Sequence, residues 1–160
     1  MAGNVSLFWR NLFFTILQPG MVAGLIPWLL VRESINHSTF SDFSIVRYAG
    51  LLLLLAGVII TLLCIIRFAT DGRGTLSPAD PTKELVIAGL YRYSRNPMYI
   101  GVMSILTGEC LLVPVTALFI YTVSIFIAFN LFIIFYEEPR LRKDFGEQYI
   151  NYCRRVRRWL

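Results

Sequence analysis

Residues 98–136 read MYIGVMSILTGECLLVPVTALFIYTVSIFIAFNLFIIFY, with Glu109 the single charged side chain in the run. A helix needs about 20 apolar residues to cross a hydrocarbon core of about 30 Å, so this stretch is too long for one crossing. Pro114 interrupts it, and a proline inside a helix removes a backbone hydrogen bond and clashes with the preceding turn. The reading is a helical hairpin of residues 98–113 and 115–136 that turns near Val113-Pro114. Working outward, residues 12–31 and 48–66 are two further charge-free runs of spanning length. The expected fold is therefore all-α, a polytopic membrane protein with four transmembrane helices in a single integral membrane domain. Arg10 ahead of the first run also suits a signal peptide. The run's length, its Pro19, Gly20 and Pro27, and the lack of a small-residue cleavage site favour a span.

Composition supports the same class. Apolar residues make up 56% of the 160 and charged residues only 16%, with a mean hydropathy of +0.63, against about 45–50% apolar in soluble domains. Chemistry must then be built from the spans and their connections. Basic residues set the orientation. Arg67, Arg73, Lys83, Arg92 and Arg95 border the loop before the third span, and Arg140, Arg142, Lys143, Arg154, Arg155, Arg157 and Arg158 follow the fourth. Both segments are expected in the cytoplasm, as is the amino terminus, in what looks like a prokaryotic inner membrane. The formal charge of +5 sits mostly at that surface, beside spans, which points to anionic lipid as a partner and away from nucleic acid. Oligomeric state is not legible.

Several chemistries lack their parts. Cys64 and Cys110 lie within apolar runs, Cys153 lies in the basic tail, and the one histidine, His37, lies in an external loop. No metal or thiol redox spacing exists, so no metal site is expected. Glu109 is placed one turn from the hairpin tip, within reach of external water.

The connection of residues 69–97 and the end of the fourth span carry the informative polar residues. Asn96 is a favoured helix N-cap and Pro97 a favoured first-turn residue. The third span should start there, its free N–H groups facing the cytoplasm as an anion site, with Arg95 nearby. Glu137 and Glu138 close the fourth span; on a helix their side chains diverge by about 100°, so only one can face a given pocket. Asn130, seven residues before Glu137, is polar in an apolar run and is expected to face a cavity or the bundle interior. Pro139 should end or kink the helix. In the tail of residues 139–160, Leu141, Phe145, Tyr149, Tyr152 and Val156 recur at helical spacing opposite basic residues. That pattern suits a helix on an anionic interface, or one that closes a pocket over the loop.

Gly89-Leu90-Tyr91, then Arg95-Asn96-Pro97-Met98-Tyr99-Ile100-Gly101, then Glu137-Glu138, then Phe145-Gly146-Glu147-Gln148-Tyr149 with Tyr152 and Val156 together resemble the isoprenylcysteine carboxyl methyltransferase and phospholipid methyltransferase group of integral membrane enzymes. The resemblance implies S-adenosylmethionine as cofactor, bound between loop and tail, and a lipophilic or lipid-linked acceptor arriving from the bilayer. By motif position the cofactor would be lined by Lys83, Glu84, Leu85 and Val86, then Tyr91, Asn96, Pro97, Met98 and Tyr99, and by Glu137. Two positions differ from the group. Asn96 stands where histidine is frequent, and Ile133 stands where the isoprenylcysteine branch carries an arginine, so a carboxylate acceptor lacks that partner.

A sulfonium methyl is already activated, so transfer needs alignment and exclusion of water more than a nucleophile or metal. The catalytic candidates are Glu138, as base for an amine acceptor, and Asn130, beside the acceptor's path. Two other functions compete: a relative of the membrane sterol-type reductases, which bind NADPH, and a non-catalytic four-span scaffold.

Overall fold

The computed structural model describes residues 19–35, 45–71 and 85–159. Residues 12–18 of the expected first span, His37, and the loop segment that includes Lys83 and Glu84 lie outside the described residues. Every regular element described is helical. A wide π turn, Met21–Leu25, leads into α1, Ile26–Ile35; then come α2, Ile45–Asp71, α3, Pro97–Leu112, α4, Thr116–Phe132, a second π turn, Ile133–Glu137, and α5, Glu138–Arg155.

Among the described residues, two helical runs are long and apolar enough to cross a membrane, Ile45–Arg67 and one within Thr116–Arg155; Met21–Arg32 and Pro97–Leu112 are apolar but shorter. Large apolar side chains crowd the outer faces, among them Leu52, Ile59 and Leu62 on α2 and Phe119, Ile120 and Ile127 on α4, all exposed. A surface of this kind finds its complement in lipid tails. The protein is a membrane protein.

The hairpin turns where the proline predicts. Helix α3 stops at Leu112, Val113 leaves the helical backbone, Val115 is extended, and α4 restarts at Thr116. Pro139 behaves differently from expectation: the helical path runs on through it. The π turn before it widens the ladder so that the missing N–H and the ring are accommodated, and Pro139 falls in the first turn of α5. Glu109 is partly exposed, and its Oε2 is enclosed with no hydrogen-bond partner among the described residues.

Helices α2 and α3 form the tightest pair, and four glycines make that possible. Gly50 and Gly57 on α2, and Gly101 and Gly108 on α3, are each seven residues apart, two turns along one face. A Cβ on Gly57 would lie 2.6 Å from the Gly101 carbonyl oxygen, and one on Gly108 would lie 2.7 Å from that of Gly50. The backbones therefore touch, as small residues permit in membrane helices. At Gly101 an added Cβ would sit 2.5 Å from Thr61 Oγ1, a buried hydroxyl oxygen that has no conventional partner among the described residues and faces the glycine Cα–H. Around this seam, Ala23, Val102, Ile105 and Leu106 form the core, with Tyr121, Ile125 and Phe129 of α4 packed against it. The Tyr121 hydroxyl donates to the Val22 carbonyl at 2.8 Å, tying the first π turn to α4.

Gly57→Ala should part α2 from α3 and destabilise the fold by about 1–3 kcal/mol, read as a lowered midpoint of thermal unfolding in detergent. Gly24→Ala, where a Cβ meets nothing within 4 Å, should leave the midpoint near wild type.

Candidate active site at the α3 start

Chain segments far apart in sequence meet at the start of α3. After α5 the chain turns back in extended form, and Ser94 and Arg157 make an isolated parallel bridge. The Arg95 amide donates to the Arg157 carbonyl at 2.9 Å. The Arg158 carbonyl accepts from Ser94 Oγ at 3.2 Å and from Asn96 Nδ2 at 3.0 Å. Asn96 thus occupies the N-cap position of α3 without capping it: its side chain is spent on the returning chain. The first-turn N–H groups of Met98 and Tyr99 are left without a side-chain cap.

Glu138 locks this strap. Arg158 grips its carboxylate with two bonds, Nε to Oε1 at 2.8 Å and Nη2 to Oε2 at 3.0 Å. Arg95 Nη1 lies 3.1 Å from Oε1, and Arg142 Nη2 lies 3.9 Å from Oε2. Burial alone would raise this carboxyl's pKa, but the Arg158 hydrogen bonds and the Arg95, Arg158 and Arg142 charges outweigh it and hold the group below its ordinary range. Arg158 shifts upward in response, chiefly through its hydrogen bonds to Glu138. Arg95 Nη1 also reaches Cys153 Sγ at 2.8 Å.

Glu137 points elsewhere. Its Oε2 accepts from the Tyr99 hydroxyl at 2.8 Å. Burial pushes its carboxyl up and the Glu138 charge adds to this, against the lowering effect of the Tyr99 bond. Tyr91 lies close enough to feel the Glu137 charge; burial above all, then Cys64 and Glu137, hold its phenol well above the usual value. The two adjacent glutamates therefore serve different surroundings, one among arginines and one among tyrosines.

The loop before α3 is packed from both sides. Val86 and Tyr91 sit on Cys64 of α2, with Leu90 and Met98 alongside. Gly89 supports this turn at a φ of +63°, a left-handed backbone that glycine adopts without a side-chain clash. From the other side Tyr149, Tyr152 and Val156 cover Leu85 together with Leu141, Phe145 and Cys153. The Tyr152 hydroxyl, its pKa pushed up to about 12 chiefly by burial, donates to the Tyr91 carbonyl at 2.6 Å. The aromatic face of α5 therefore covers the loop, the second of the two arrangements its periodicity allows. A break at Gly146, with φ of 51°, bends α5 in the process.

Of the residues singled out from sequence, Val86, Tyr91 and Met98 share one cluster, Tyr99 and Glu137 one hydrogen bond, and Asn96 and Glu138 opposite ends of the Arg158 contact. Pro97 is buried at the first turn of α3, while Leu85 belongs to the tail cluster. Asn130 donates from Nδ2 to the Phe126 carbonyl at 2.8 Å and accepts from Trp159 Nε1 at 3.2 Å. Sequence reasoning missed the strap. Arg158 counted there only as one of the basic residues that follow the fourth span, and nothing in local spacing joins it or Trp159 to residues 94–96 or to Asn130.

Residues 45–148, more than half of the chain, match the phospholipid methyltransferase family. No curated protein and no solved structure matches the chain. The fold and the match together define a membrane methyltransferase. The chain belongs to the phospholipid methyltransferase family, whose members act on a lipid-type substrate.

Because Glu138 has a depressed pKa in the folded state, its contribution to stability is complete above the ordinary carboxylate pKa of about 4.3 and is lost as pH falls through the lower folded value. Hydrogen exchange at the Arg95 amide should therefore stay slow through mild acid and accelerate only below that range. Glu138→Gln should loosen the strap at neutral pH, lowering the thermal midpoint by leaving the half-buried Arg95 and Arg158 without their carboxylate, a cost of about 1–2 kcal/mol.

Proposed function

We propose that this chain transfers a methyl group from S-adenosylmethionine to a lipophilic or lipid-linked acceptor at the cytoplasmic membrane interface. The observation that carries the reading is Glu137, a half-buried carboxylate with a tyrosine donor and, among the described residues, no cationic partner. A carboxylate raised by burial gains from a fixed positive charge, and a sulfonium offers one without a proton of its own. The fit extends to the uncapped start of α3, whose Met98 and Tyr99 N–H groups suit the cofactor's carboxylate. Tyr91 lies beside it, with the backbone of Lys83, Glu84, Leu85 and Val86 and the side chains of Asn96 and Pro97 as the remaining lining the family resemblance implies.

The cofactor, when bound, would supply a methyl group already activated on a sulfonium, so what the chain's own residues must do is hold it, align the acceptor and exclude water. Glu137 balances the charge before transfer. Once that charge is gone the carboxylate again sits in a place that favours its protonated form, so it can accept the proton an amine acceptor sheds. Glu138, expected from sequence as the base, is a poorer proton acceptor: three arginines hold it ionised. We assign it to fixing Arg95 and Arg158, and Asn130 to fixing Trp159. The closed packing of α5 over the loop supports exclusion of water during transfer.

In this reading the helices including α1 and α3 make four spans, the shorter ones completed by polar flanks and by local thinning of the bilayer. The basic residues bordering α3 and following α4 keep both ends of the chain in the cytoplasm, in an inner membrane of prokaryotic type. Anionic lipid at that leaflet is the partner of the basic outer face of α5.

Calorimetric titration of the chain in nanodiscs with S-adenosylmethionine should show binding, with neither NADPH binding nor silence toward both ligands. Affinity should fall as pH drops through the raised Glu137 pKa, by up to about tenfold per unit, because a proton must leave before the cation enters. Glu137→Gln should weaken binding by about tenfold or more and flatten that pH dependence. Unchanged affinity and an unchanged pH profile in the variant would remove Glu137 from the site.

A further inference from the structure

Ser94 and Asn96 are deeply buried for polar residues, 2% and 6% exposed, and both depend on one acceptor. Ser94 Oγ donates to the Arg158 carbonyl at 3.2 Å and Asn96 Nδ2 donates to it at 3.0 Å, while the Arg95 amide between them donates to the Arg157 carbonyl at 2.9 Å. Three consecutive residues ahead of α3 are thus covered by main-chain atoms of residues 157 and 158. A buried donor left without a partner is costly, so the strap leaves only when water or a ligand supplies acceptors in its place.

The strap is attached in a way that lets it leave alone. The apolar cluster of α5 ends at Val156, packed with Tyr149 and Tyr152, and at Val156 the backbone passes from helix to extended, with φ of −123° and ψ of 130°. Beyond that point the contacts are mainly polar: those to residues 94–96, the Arg158 bonds to Glu138, and Trp159 Nε1 to Asn130 Oδ1 at 3.2 Å. The Trp159 ring adds a contact with Phe126, centroids 5.7 Å apart. Polar contacts pass readily to water, whereas lifting α5 itself exposes two tyrosines and a valine. Segments with few buried apolar contacts are the ones that open locally.

The two ends of the strap face different media. Arg157 and Arg158 lie on the loop before α3 and on Glu138, at the polar end of the bundle. Trp159, the next residue, reaches Asn130 and Phe126 on the apolar helix α4, where Phe126 is itself exposed.

We infer that residues 157–159 are a lid over the start of α3 that swings at Val156 as one piece, so that the contacts to residues 94–96 and the lipid-side contact of Trp159 with Asn130 are made and broken together. The lid's service to a methyl donor rests on the methyl-transfer reading; the joint movement does not. An open lid admits the donor to the uncapped Met98 and Tyr99 N–H groups, and the same movement frees the lipid-facing Asn130, which ties donor exchange to the membrane side of the site.

The test is amide-resolved hydrogen exchange of the full chain in phosphatidylcholine nanodiscs, in a Trp9→Phe, Trp28→Phe background that leaves Trp159 as the only tryptophan for fluorescence. Asn130→Leu, on the lipid side, should speed exchange of the Arg95 amide by about fivefold, the factor one hydrogen bond gives, and leave the Val102 amide inside α3 unchanged. Glu138→Gln, on the polar side, should in turn lower the quenching of Trp159 by phosphatidylcholine brominated near the head of its acyl chains. An unchanged Arg95 rate in Asn130→Leu overturns the inference, and so does equal acceleration at Arg95 and Val102, which is unfolding of the whole. Unchanged Trp159 quenching in a Glu138→Gln protein whose Arg95 amide exchanges faster overturns it too, because the strap then moves in parts. Asn130→Leu carries the test alone where Glu138→Gln does not fold. Saturating S-adenosylmethionine should slow Arg95 exchange in the parent chain by about tenfold, as a ligand at roughly ten times its Kd does for an opening that must release it. Binding without that slowing removes the lid's role toward the donor, whereas absence of binding removes the methyl-transfer reading and leaves the coupled strap, judged by the two variants.

Discussion

The carboxylate of Glu138 is the point on which the cytoplasmic end of this protein depends. Arg158 and Arg95 come from segments more than 60 residues apart, yet both terminate on it. A buried carboxylate of this kind is costly unless its charge and its lone pairs are satisfied together, and here the planar forks of two guanidiniums do so. Removing any member strands the others. The cluster holds the end of the chain against residues 94–96, and through that contact it determines where Trp159 and the start of α3 lie.

The rest of the arrangement follows from how little room the helices leave one another. Glycine backbones in contact bring α2 and α3 close enough that Cys64 lies under the loop and supports Val86 and Tyr91. The π turn at Ile133–Glu137 places Ile133 wholly inside the protein and rotates the glutamates that follow it. Neighbours on a helical path diverge by about 100°, so Glu137 meets Tyr99 and Glu138 meets arginine. Two chemically identical neighbours then acquire opposite shifts in acidity, Glu137 raised chiefly by burial and Glu138 lowered by its arginines.

Much of the fold was legible because it depends on local rules. Long charge-free runs, a proline between two of them, and Asn-Pro ahead of the third pointed to helices; α2 begins three residues earlier than its uncharged run and extends past it. The motif residues around Tyr91, Tyr99 and Glu137 were legible through their family pattern. What escaped was long-range. Asn96 has the sequence of a helix cap, but the Arg158 carbonyl competes for its side chain and wins. Asn130 suggested a cavity because it is polar in an apolar run, yet its partner is a tryptophan at the far end of the chain.

By itself the sequence determined the all-helical membrane class, the hairpin, the family and the residue types available for chemistry, because hydropathy, proline geometry and motif spacing act over one or two turns. Only the tertiary structure decided which glutamate faces tyrosine and which faces arginine, that the aromatic face of α5 closes over the loop, and that Trp159 reaches Asn130. Those outcomes turn on which distant groups reach each other once burial makes every unpaired charge and hydrogen bond costly, and no local pattern encodes that.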